Sequence, residues 1–120
     1  MSISIIGGSV SPSTALTLNA QTGTTYTFVL TDANNTLVTA SNASAQTYTI
    51  PPNSSVAYPI GSQINIIAIG AGQVSFAQGS GVTIASNGAT STAPKLRVQY
   101  SSASAIKVNT DSWYVVGDLA

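Results

Sequence analysis

Apolar and polar residues alternate with a period of two through most of the chain, the spacing of strands that bury one face. Residues 14–20 set Leu16 and Leu18 against Thr17 and Asn19, and residues 24–31 align Tyr26, Phe28 and Leu30. Residues 46–50 alternate Tyr48 and Ile50 with Thr47 and Thr49. In residues 63–69 one face carries Ile64, Ile66 and Ala68, and the other carries Asn65, Ile67 and Ile69. That segment is apolar on both sides in its C-terminal half, which places it centrally in a sheet. Residues 73–78, 82–85, 95–101, 105–109 and 112–116 complete the series, and they are rich in the β-branched and aromatic residues that strands favour.

Turn formers separate these runs: Gly7 and Gly8, Asp32 to Asn35, Pro51 to Asn53, Gly70 to Gly72, Gly79 to Gly81, and Asn87 with Gly88. No segment holds a helical period over ten residues, and no internal repeat of 20 to 50 residues is evident. Residues 86–93 form a low-complexity loop bounded by Pro94. Short strands at regular spacing predict an all-β domain, an antiparallel β-sandwich or jelly-roll-like fold over residues 13–120. Residues 1–12 precede it as an N-terminal arm.

Composition sharpens this picture. Of 120 residues, 43% are hydrophobic but only 5% are charged, against about a quarter in ordinary soluble domains. The charges are Asp32, Asp111, Asp118, Lys95, Arg97 and Lys107, with no Glu, His or Cys. Ser and Thr make up roughly a quarter of the chain, so hydroxyls and amides must wet the surface. Net charge is zero, which favours association. A nucleic-acid partner or a polybasic membrane contact would need several Lys and Arg, and neither is expected. Residues 1–8 carry no basic n-region, so no secretory signal is expected.

Candidate chemistry is sparse. Without His and Cys, the usual triads and transition-metal sites are ruled out. Asp111 and Asp118 flank a predicted strand and would lie roughly 20 Å apart, too far for paired-carboxylate hydrolysis. Lys95 and Lys107 fall in alternating runs and are expected to face solvent, which removes a serine–lysine site. Asp32, Asn34 and Asn35 offer one carboxylate and two amides, which read as a hairpin loop between Leu30 and Leu37 rather than a calcium site. Trp113 and Tyr114 are neighbours in a strand and must face opposite ways, with Tyr114 expected outside. The Thr25/Thr27 and Thr47/Thr49 pairs read as ordinary β-propensity rather than an ice-binding ladder. No catalysis, cofactor or metal is expected.

Several of these residues carry a resemblance. Ile50-Pro51 opens a turn, Pro59-Ile60-Gly61 precedes a strand, and Gly70-Ala71-Gly72 leads into the hairpin-like stretch to Ile84. Leu96 to Tyr100, and Trp113, Val115 and Gly117, close the pattern. In this order, over residues 25–119, the chain resembles a β module of virion proteins in tailed bacteriophages. The resemblance implies a non-catalytic virion component, commonly a homotrimer, in a tail fibre, spike or small head protein. With about 24 residues before the matching stretch, the chain looks more like a capsid decoration, or cement, protein on the outer shell. Its partners would be its own copies and the major capsid protein or another virion protein. A tail-fibre or spike domain that contacts a host receptor, and a lectin-like carbohydrate-binding module, are the alternatives. Ile3, Ile5 and Ile6 in the arm, and Tyr114, are the candidate partner contacts.

No side chain of this composition has an ordinary pKa between about 5 and 9. Stability should therefore be nearly flat across that range. A thermal melt at each pH unit is expected to give midpoints within a few degrees of one another.

Overall fold

The computed structural model describes residues 15–120. Nine strands follow one another: β1 (Thr17–Gln21), β2 (Thr25–Thr27), β3 (Thr36–Ala40), β4 (Gln46–Ile50), β5 (Gln63–Ala68), β6 (Val74–Gln78), β7 (Thr83–Ser86), β8 (Ser102–Asn109) and β9 (Ser112–Gly117). They form a six-stranded sheet in the order β1-β3-β5-β8-β9-β7 and a three-stranded sheet in the order β2-β4-β6. The protein is thus β-rich, and β5 lies centrally in the larger sheet as its two-sided apolar pattern predicts.

The pairing corrects the expected antiparallel direction of the strands. Five of the seven strand pairings are parallel, and only β5/β8 and β8/β9 run antiparallel. The first six strands alternate between the sheets, so the chain winds in coils. Each coil sets one strand in the large sheet and one in the small. In the large sheet Thr17 lies beside Thr36 and Leu37 beside Asn65, offsets of 19 and 28 residues. In the small sheet the offsets are 22 and 28 residues. Unequal turns hide this stacking from any search for a fixed period. The β8–β9 hairpin then fills the large sheet between β5 and β7.

Two further expectations change. Residues 95–101 form no strand: Lys95 and Leu96 make isolated bridges to Ser75 and Leu119, and Val98 to Ser101 is a tight turn closed by Ser101 N–H to the Val98 carbonyl at 3.0 Å. The segment around Asp32 is not a hairpin loop but a 3-10 turn, Leu30–Ala33, which carries the chain from the small sheet into β3. The segment 36–40, placed in no strand by the sequence reading, is β3 itself.

One core lies between the sheets. Val38, Ile64, Ile66, Trp113 and Val115 from the large sheet meet Tyr48, Ile50, Val74 and Phe76 from the small one, with Phe28 just beyond β2. The rings interlock, with Phe28 5.8 Å from Tyr48 and 6.3 Å from Phe76. At one corner the second and third coils touch backbone to backbone. A Cβ on Gly72 would collide with the Ser44 carbonyl, so glycine is required there.

Below the first coil sits a buried carboxylate. Asp32 is 1% exposed and accepts from Asn19 Nδ2 at 2.8 Å, Tyr26 Oη at 2.7 Å and the Val29 N–H at 2.9 Å. Such an anion is tolerable only when its lone pairs are filled. Burial, and then the bond to Asp32, push Tyr26 up to about 12, so it remains a donor at ordinary pH. The Tyr48 hydroxyl, by contrast, is buried with no partner. These two tyrosines should respond oppositely to loss of the hydroxyl. Tyr48→Phe is expected to raise stability by about 1 kcal/mol and Tyr26→Phe to lower it by about 2 kcal/mol, read by denaturant unfolding.

Candidate contact surface

Register determines which side chains share the outer face of the large sheet. Leu18, Leu37, Asn65, Ser104 and Val116 form one row across β1, β3, β5, β8 and β9. Ala20, Thr39, Ile67 and Ser102 form a second. Gln63, Ile106, Tyr114 and Ala85 form a third. None of these side chains is charged. Leu18 is 67% exposed, Tyr114 53% and Val116 50%, which is unusual for large apolar groups on one flat sheet.

Mid-face, polar groups lock one another. Ser104 Oγ donates to Asn65 Oδ1 at 2.6 Å, and Gln63 Nε2 reaches the same oxygen at 2.9 Å. Side chains tied in this way lose less freedom when covered. Towards β7 the face dips into a shallow hollow of about 280 Å³, lined by Thr83, Val108, Ser112 and Tyr114. A face depleted in charge, with an exposed tyrosine and a polar network, has the composition of a protein–protein interface core.

The other broad face is different. On the small sheet Thr25 lies beside Thr47 and Ser75, and Thr27 beside Thr49 and Ala77. The threonine pairs that looked unevenly spaced in sequence are stacked in space by parallel pairing. This hydroxyl-bearing surface is small and well suited to water.

A second aromatic contact was missed in the sequence because residues 95–101 were read as a strand. Tyr100 is 68% exposed and sits at φ 70°, the left-handed region that non-glycine residues avoid. Such strain costs about 1 kcal/mol or more and clusters at functional positions. Val98, half-exposed, accompanies it. The turn is braced by Asp118, which accepts from Arg97 Nε at 2.8 Å, Arg97 Nη2 at 3.1 Å and Ser101 Oγ at 2.5 Å. The signal that exposes Tyr100 is Gln99-Tyr100-Ser101-Ser102, a polar stretch too weak in alternation for a strand.

The remaining charged groups are scattered. The Asp111 carboxylate accepts the Asn53 N–H at 2.8 Å, and Asp32 is engaged under the first coil. No group of three metal-binding side chains occurs among the described residues. Lys95 is exposed as expected, but Lys107 is not. Its side chain is 2% exposed and points inward, across β9 from Trp113. A bulge between Lys107 and Asn109 shifts the register at the end of β8, and the inward phase of Ala103 and Ala105 carries Lys107 with it. Ile3, Ile5 and Ile6 lie outside the described residues.

Compared with known proteins, the chain gives no significant match to any family model, curated protein or solved structure. Its chemistry is therefore read from its own residues.

The Arg97 guanidinium, and then Ser101, hold Asp118 below the usual carboxylate range. A depressed carboxylate stabilises the fold fully above its ordinary pKa, and that contribution is lost as pH falls through the lower folded value. Melting midpoints should hold steady down to about pH 4 and decline below it. Arg97→Gln is expected to shrink the decline, as seen in acid melts of the two chains.

Proposed function

We propose that this protein is a virion structural component of a tailed bacteriophage, a capsid decoration or cement protein that acts by contact. The observation that carries the reading is the uncharged outer face of the six-stranded sheet, with Leu18, Tyr114 and Val116 exposed on it. A monomer gains nothing from such a face in water, whereas a partner that covers it gains apolar burial of roughly 25 cal/mol per Å². The scarcity of ionic groups suits a joint that must hold across changes of pH and salt. The sequence resemblance to phage virion modules supplies the setting: the outer surface of the shell, three copies together, bound to the major capsid protein.

In this reading the large-sheet face packs against a neighbour and the hydroxyl face of the small sheet stays wet. The arm, with Ile3, Ile5 and Ile6, reaches an adjoining subunit. Strand addition to a partner's sheet edge is the way such a segment binds.

Tyr114→Lys and Val116→Lys place charge on the β9 side of the face without entering the core. Each is expected to leave melting unchanged within a few degrees and to lower binding to undecorated capsids at least tenfold, measured by co-sedimentation. Deletion of residues 2–10 is expected to abolish capsid binding with the fold intact. Hundreds of copies per particle are expected. A handful of copies together with glycan-array binding would instead make it a receptor-binding tail protein.

A further inference from the structure

The buried lysine has a use beyond surface contact. Lys107 Nζ donates to Asn53 Oδ1 at 2.6 Å and to the Tyr58 carbonyl at 2.7 Å. Neither partner carries charge, and the one ion pair among the described residues is Arg97–Asp118. An ammonium removed from water is costly unless it is paired with an anion. Around it stand Trp113, its register partner in β9, and Tyr58, whose ring meets Trp113 edge-on at 5.2 Å. A lysine held dry among aromatic groups is the form in which lysine serves as a nucleophile.

Its hydrogen-bond acceptor is an electrophile. With Nζ 2.6 Å from Oδ1 and a C=O bond of ~1.23 Å, Nζ lies within ~3.8 Å of the Asn53 side-chain carbon. That is close to the separation of reacting atoms in a near-attack arrangement. The Asp111 carboxylate accepts the Asn53 backbone N–H at 2.8 Å and so holds that residue in place. Asn53 itself is half-buried, so a small leaving group has a path to water.

The geometry points to an intramolecular isopeptide bond between Lys107 and Asn53. The lysine nitrogen attacks Cγ of Asn53, and the bond from Cγ to the side-chain nitrogen breaks. Water reaching half-buried Asn53 carries the proton from the lysine nitrogen to the departing nitrogen, which leaves as ammonia. A secondary amide replaces a primary one, so the step needs no oxidant, nucleotide or metal. The bond joins the long β4–β5 connection to β8, next to the hollow on the outer face.

Mass spectrometry of the purified, denatured full-length chain tests this. The expected result is a chain lighter than its sequence by one ammonia, with a branched proteolytic product that links the Asn53 peptide to the Lys107 peptide and no tryptic cut after Lys107. Lys107→Arg should restore the full sequence mass. Asn53→Ala should likewise give a chain at the full mass of its own sequence. A wild-type chain at full sequence mass overturns the proposal. So does an ammonia loss confined to a linear peptide, which is asparagine cyclisation.

Discussion

Backbone pairing between successive coils is the constraint from which the other features follow. Once Thr17 to Gln21 lies parallel beside Thr36 to Ala40, every second side chain is committed to the core and its neighbours to the surface. The next coil repeats the commitment, and the turns must then stack as closely as the strands. This is why Gly72 meets the Ser44 carbonyl with no room for a side chain. The same stacking draws threonines far apart in sequence into adjacent positions on the small sheet.

The two sheets divide the labour. The inner faces hold nearly all the large rings, and the aromatic contacts from Tyr26 through Phe76 bind the small sheet together. What remains outside is uncharged and apolar on the large-sheet face and hydroxylic on the small, where Lys95 borders Ser75. Here Asp118 serves a turn, Asp32 a coil end and Asp111 a loop. The contact reading therefore rests on the large-sheet surface.

Much of this was legible in the chain. Period-two alternation located eight of the nine strands, and the two-sided apolar pattern of β5 gave its central place. Adjacent Trp113 and Tyr114 had to face opposite ways, and the larger ring is the buried one. Strand direction was not legible, because alternation is the same for parallel and antiparallel neighbours. Only the connections distinguish them, and these vary in length. Lys107 was misread for a related reason: a charged residue in an alternating run was taken to mark the wet face, whereas its phase matches Ala103 and Ala105. Tyr100 escaped notice because the weakly alternating stretch around it was read as part of a strand, where the backbone in fact turns.

Tyr100 also has an evolutionary consequence. Glycine at that position would adopt the same backbone without steric penalty, so under the proposed contact function heat resistance and adhesion pull in opposite directions there. Laboratory selection for thermal endurance alone would drift towards the smaller residue and discard the ring. Selection on assembled particles would keep the ring and tolerate the weaker fold.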